Sequence, residues 1–211
     1  LKDRPLFWSK KEGFWEGVTW SDAAVQVRKL ASVLQSYGIK KGDRVLIASE
    51  NRPEWAISDL AVMSLGAIVV PAYTSNTEED NNYLLTHSQA KLAITSGGNV
   101  ASRLCLAADS NKFIKNIILI DADPRNFTVK GCKLLSWNEE IKKVDIDSKF
   151  EKSIEKLSDE DVCCFIYTSG TGGRPKGVML THKSIFSNIL ACSDIIKAVS
   201  YTHLRAHETN S

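Results

Sequence analysis

Short apolar runs alternating with helical stretches restrict this chain's fold more than any other feature. Arg44-Val45-Leu46-Ile47-Ala48, Ile68-Val69-Val70-Pro71, Lys91–Thr95, Asn116–Asp121 and Val162–Ile166 each read as a short strand. Between them the spacing is helical. Thr19 or Ser21 caps a first helix whose face carries Ala24, Val25, Val27, Leu30, Ala31, Val33 and Leu34, and Gly38 stops it. Pro53 occupies a first helical position, where its missing donor costs nothing, and that helix carries Trp55, Ile57, Leu60, Ala61 and Leu65 to Gly66. Thr77 with Glu78-Glu79-Asp80 forms a cap and acidic first turn for a helix through Thr86, and another spans Asn99 to Ala108. Strands separated by helices imply βαβ units, so the expected class is α/β with mostly parallel sheets flanked by helices. Residues 142–160 are charged and aperiodic, a surface connection rather than a domain linker.

Composition sets bounds on function. With 43% hydrophobic and 25% charged residues in 211, the chain is long enough for a substantial core. Its net charge of +2 and the absence of basic runs with interleaved aromatics argue against nucleic acid as a partner. Five cysteines without a Cys-x-x-Cys spacing point to a reducing, cytoplasmic compartment, with Cys163 and Cys164 as small buried hydrophobes. No apolar run approaches the ~18 residues of a transmembrane helix, which leaves peripheral membrane contact open.

One stretch carries chemistry. Tyr167-Thr168-Ser169-Gly170-Thr171-Gly172-Gly173-Arg174-Pro175-Lys176-Gly177 follows the last apolar strand and precedes Thr181-His182-Lys183-Ser184, where helical spacing begins. Glycines let successive backbone N–H groups point at one oxyanion, and the hydroxyls of Thr168, Ser169 and Thr171 add donors. Lys176 adds positive charge, so the natural guest is a polyphosphate. Arg174 reads as a solvated side chain. His182 follows closely enough to line a nucleotide site, and reads equally as a packed structural histidine. His87, between Thr86 and Ser88, reads as a polar helix end. The spacing of an ordinary P-loop, Gly-x-x-x-x-Gly-Lys-Ser/Thr, fails: counting from Gly170 the sixth position is Pro175, and Gly177 is followed by Val178.

The stretch resembles the phosphate-binding signature of the adenylate-forming (AMP-dependent) synthetase superfamily, Thr-Ser-Gly-Thr-Thr-Gly-x-Pro-Lys-Gly after a hydrophobic strand. Gly172 stands where Thr is commonest there, which is expected to weaken one hydroxyl contact without abolishing binding, since Thr168, Ser169 and Thr171 remain. Gly17-Val18-Thr19-Trp20, Lys41-Gly42-Asp43-Arg44-Val45, Glu50-Asn51-Arg52-Pro53-Glu54-Trp55 and Gly66–Tyr73 resemble successive landmarks of acyl-CoA synthetase N-terminal domains. The second half of that series leans toward long-chain fatty acid–CoA ligases. The resemblance implies ATP, Mg²⁺ and coenzyme A, with a carboxylic acid, a long-chain fatty acid, activated as an acyl-adenylate. It implies a phosphate cradle of Thr168, Ser169, Gly170, Thr171, Gly172, Gly173 and Lys176, and no catalytic residue within this stretch. Alternatives are an aryl or short-chain acid–CoA ligase, a peptide-synthetase adenylation domain, or, in another class, a non-catalytic nucleotide-binding module.

The ends bear on domain organisation. Residues 1–197 are expected to be part of an N-terminal AMP-binding domain, with the adenine-binding stretch, the ribose aspartate and the adenylation lysine further on, so that this stretch alone is inactive. Residues 198–211, including Tyr201-Thr202-His203-Leu204-Arg205-Ala206-His207, resemble the translation of a sequencing-library adapter and are assigned no function.

Overall fold

The computed structural model describes residues 2–11, 13–147, 150–168 and 174–196. An antiparallel hairpin, β1 (Pro5–Lys11) and β2 (Phe14–Thr19), leads into α1 (Trp20–Ser36). There follow β3 (Arg44–Ala48), α2 (Pro53–Ser64), β4 (Ile68–Ala72), α3 (Glu78–Ser88), β5 (Leu92–Thr95), α4 (Gly98–Asp109) and β6 (Asn116–Leu119). The chain continues through β7 (Lys133–Ser136), α5 (Trp137–Lys143), α6 (Phe150–Ile154), β8 (Val162–Thr168), β9 (Lys176–Thr181) and α7 (His182–Ile196). The main sheet has the order β7-β6-β5-β3-β4-β8-β9; every neighbouring pair is parallel except β8 with β9. The expected α/β class with a mostly parallel sheet is what the chain forms.

Helix boundaries follow local chemistry. The Thr19 hydroxyl accepts from the Asp22 amide at 3.1 Å while the Asp22 carboxylate accepts from Thr19, a reciprocal box that satisfies donors at the start of α1. Thr77 and Asp80 repeat it on α3. Gly38 and Gly66 adopt positive φ immediately after α1 and α2, a conformation side chains resist. At Gly66 the space is also tight: an added Cβ would lie 2.8 Å from Leu157 Cδ2, so that side chain would have to shift.

Two cores sandwich the sheet, and alternation along each strand sorts residues between them. Val45, Ile47, Val69, Leu92 and Ile94 face α1 and α2. Leu46, Ala48, Val70, Ala93 and Ile117 face the α3–α4 side. On β8, Cys164 and Ile166 join the first core while Phe165 and Tyr167 pack on the second. Cys163 and Cys164 are buried, as their apolar surroundings suggest.

Several sequence expectations need correction. The first helix is less regular than its pattern: Ala24 and Val25 are exposed and Ala23 is buried instead, while Leu60 of α2 also faces solvent. Residues 142–160 are not merely a surface connection, since Phe150, 5% exposed, inserts into the first core. The β1–β2 hairpin, β7 and β9 were not expected. The hairpin displays Trp8, Phe14 and Trp15 to solvent, and Trp20 at the start of α1 is exposed as well. Among the described residues no helix is long and apolar enough to cross a membrane.

Asp59 sits on α2 near Cys163 and Cys164, and burial pushes its carboxyl up to about 6. A carboxyl raised in the fold destabilises it as pH climbs from the ordinary value of 3.8 through about 6. Asp59→Asn should therefore stabilise the chain by roughly 2 kcal/mol near neutral pH, and the gain should vanish below pH 4. Urea unfolding at both pH values measures this; an equal gain at each would exclude titration of Asp59 as the cause.

Candidate functional site

Because β8 runs parallel to β4 and β4 to β3, the ends of all three strands meet at one edge of the sheet. The chain leaving β3 enters α2 on the first core's face, and the chain leaving β4 enters α3 on the other. Where successive connections diverge in this way an open α/β sheet leaves a crevice beyond the strand ends, the usual ligand position. Here it measures ≈ 470 Å³ and is walled by Ser49, Glu50, Trp55, Tyr73, Thr74 and Tyr167. Thr168, the last residue of β8, directly follows Tyr167 of this wall.

Thr168 pairs with Lys176 across the β8–β9 hairpin, and both are exposed. The connection is therefore strand to strand. Lys176–Thr181 is β9, and the helix begins only at His182, with the Thr181 and Ser184 hydroxyls accepting from each other's amides. Ser169, Gly170, Thr171, Gly172 and Gly173 lie outside the described residues. His182 is carried to the other end of the hairpin, next to Thr181, which pairs with Val162. Six residues of strand separate that pair from Thr168, about 20 Å. His182 Nε2 is buried, without a partner among the described residues, and its amide donates to the Asp161 carbonyl at 3.1 Å. The structure separates it from the loop's stems.

Gly177 has a role that its place in a glycine-rich run conceals. It belongs to β9 and faces Tyr167, whose ring lies across it: a Cβ there would come within 3.2 Å of Tyr167 Cζ. Burial, reinforced by the nearby Tyr83, pushes the Tyr167 hydroxyl up to about 12, so it stays protonated. It lies 2.8 Å from His87 Nδ1, and it donates there when His87 carries its proton on Nε2. His87 is thus more than a polar helix end, and a contact spanning eighty positions leaves no local signal. Arg174 is exposed, as expected, with its guanidinium 5.6 Å from the Tyr83 ring centroid.

The far side of the rim is braced by charge. Arg52 Nη1 donates to Asp121 Oδ2 at 2.5 Å and its Nε to Glu54 at 2.9 Å, while the Gly97 amide donates to Asp121 Oδ1 at 2.7 Å. Burial opposes the Asp121 charge, yet the bonds from Arg52 and Gly97 hold its carboxyl below the usual carboxylate range. Loops after β3, β5 and β6 are joined in this way. Among the described residues no three His, Cys, Asp or Glu side chains converge as a metal would need.

A crevice at the switch point of an open α/β sheet, walled in part by the end of β8, is a common ligand position in this fold class. The family model for AMP-binding enzymes matches residues 2–208, and the chain belongs to that family. It is 33% identical over 193 residues to fatty acyl-CoA synthetase A of Dictyostelium discoideum, covering 88% of this chain and 28% of that protein. It is 34% identical over 180 residues to 4-coumarate–CoA ligase 4 of Arabidopsis thaliana, covering 82% and 29%. The fold matches the luciferase-like enzyme from the nonluminescent Zophobas morio mealworm with a TM-score of 0.71 at 20% identity, over 85% of this chain and 39% of that one. The sheet is that of the N-terminal domain of adenylate-forming enzymes, and the chain spans under a third of the curated relatives it matches.

Gly177→Ala should cost about 1–2 kcal/mol through overpacking against Tyr167, read as a lowered urea midpoint. Tyr167→Leu in the same background should recover part of that loss; equal losses in both backgrounds would show that the ring is not what Gly177 accommodates.

Proposed function

We propose that residues 1–197 form the leading part of the AMP-binding domain of a longer AMP-forming acid–thiol ligase, most similar to long-chain fatty acid–CoA ligases. The observation that supports this reading is where the loop emerges: Ile166 and Tyr167 of β8 wall the switch-point crevice, and Thr168, the next residue, pairs with Lys176. Residues 198–211 have no part in the reaction, and the tract up to 197 alone is inactive.

The composition of the loop matches the chemistry. A carboxylate is a poor electrophile. Its oxygen attacks the α-phosphorus of ATP, the bond to the β-phosphate's bridging oxygen breaks, and pyrophosphate departs with the electron pair. The acyl-adenylate is then attacked at its carbonyl by coenzyme A thiolate, AMP leaves, and the thioester remains. In the first step charge accumulates on the departing pyrophosphate. Amides of Gly170, Gly172 and Gly173, hydroxyls of Thr168, Ser169 and Thr171, and the Lys176 ammonium would hold the β- and γ-phosphates while it does. Mg²⁺ would accompany the triphosphate, and among the described residues no cluster of three acidic, His or Cys side chains is placed to hold it. Neither Arg174 nor His182 is assigned to the cradle.

The acid is proposed to be a long-chain fatty acid, supported by the likeness to a fatty acyl-CoA synthetase. The similar identity to a 4-coumarate–CoA ligase favours a second reading, an aryl acid as substrate. Free cysteines support a cytoplasmic setting, and a fatty acid would be met at a membrane surface.

The complete gene product should exchange labelled pyrophosphate into ATP when given a carboxylic acid, before coenzyme A is added. A panel from palmitate to 4-coumarate ranks the acids, and silence with all of them would leave a non-catalytic nucleotide-binding module. Thr171→Val should slow exchange well beyond tenfold, since removing one preorganised donor typically costs about 2.7–4 kcal/mol of barrier. An unaltered rate would take Thr171 out of the cradle.

A further inference from the structure

The loop's stems are not held by the hairpin alone. One face of α3 presents Tyr83 and His87, four residues apart and therefore one above the other. The Tyr83 hydroxyl donates to the Pro175 carbonyl at 2.7 Å, on the stem that leads into β9. His87 Nδ1 meets the Tyr167 hydroxyl at 2.8 Å, on the stem that leaves β8. The three rings pack together: Tyr83 and His87 each stand edge-on to Tyr167, with centroids 6.2 and 5.5 Å away, and Tyr83 lies 5.4 Å from His87. Arg174 covers the outer face of Tyr83.

We propose that Tyr83 and His87 of α3 are positioning residues that fix the two ends of the phosphate loop, setting its span before nucleotide arrives. This rests on the reading of the loop as a phosphate cradle. The helix suits the task. Its start is locked by the Thr77–Asp80 box, and its inner residues Leu84, Leu85 and Ser88 are buried. Its other face is therefore immobilised against the second core. Gly177 completes the arrangement by letting the Tyr167 ring lie flat between strand and helix. A glycine-rich turn without such an anchor samples many conformations, and aligning its amides on an anion then opposes binding. Anchoring both stems to one rigid helix removes part of that cost beforehand.

The test uses the complete gene product with Tyr83→Phe, which deletes one hydroxyl and keeps the ring, and His87→Leu, which deletes the Nδ1 acceptor. Acid-dependent pyrophosphate exchange should show KM for ATP raised about tenfold in the double variant, with KM for the acid unchanged. His87→Asn, which keeps an acceptor near the Nδ1 position, should restore most of the loss in the His87→Leu single variant. An independent reading needs no activity: trypsin cleavage after Lys176 should quicken several-fold in the double variant. An unchanged KM for ATP together with unchanged cleavage would overturn the proposal, as would equal rises in KM for both substrates, the mark of general loosening. Wild-type protein that neither exchanges with any acid nor binds ATP in equilibrium dialysis would instead overturn the phosphate-loop reading itself, and this inference with it.

Discussion

The site depends on β8 packing against a core on each face beside β4. Cys164 and Ile166 enter one core while Phe165 and Tyr167 enter the other, so a slip of one residue would reverse all four. That register aims β8 and delivers Thr168 to the edge where β3 and β4 also end. A loop of the same composition at the opposite edge would face no crevice. Where the loop leaves the sheet thus follows from packing first and from loop residues second.

Contacts remote in sequence then convert an edge into a site. Arg52 and Asp121 tie the connections after β3 and β6, and Gly97 brings in the one after β5. On the other side α3 reaches both stems of the hairpin through Tyr83 and His87. Each bond is modest, of order 1 kcal/mol. Their importance lies in joining segments that could otherwise move independently.

Much of the fold was legible because its determinants are local. Thr19, Pro53 and Thr77 mark helix starts through hydrogen-bond chemistry confined to four residues, and the βαβ alternation is enough for a parallel sheet. What escaped notice is non-local or too short to show a period. Val178, Met179 and Leu180 make a three-residue apolar run between a glycine and a helix cap, which reads as loop until β8 is seen to pair with it. The β1–β2 hairpin puts Trp8, Phe14 and Trp15 outward, against the usual meaning of large aromatics. His87 carries no local mark of its partner Tyr167. Of the residues read as a cradle, Thr168 and Lys176 are described and pair across the hairpin, while His182 is carried to its far end.

The Tyr167 ring lying over Gly177 has an evolutionary corollary. A side chain can enter position 177 only if the aromatic opposite it shrinks or swings away, and that movement would surrender the hydroxyl held by α3. The two sites should therefore show epistasis, with a change at either tolerated only in company. Part of what looks like selection for loop flexibility in this glycine would then be selection for a flat floor beneath a ring.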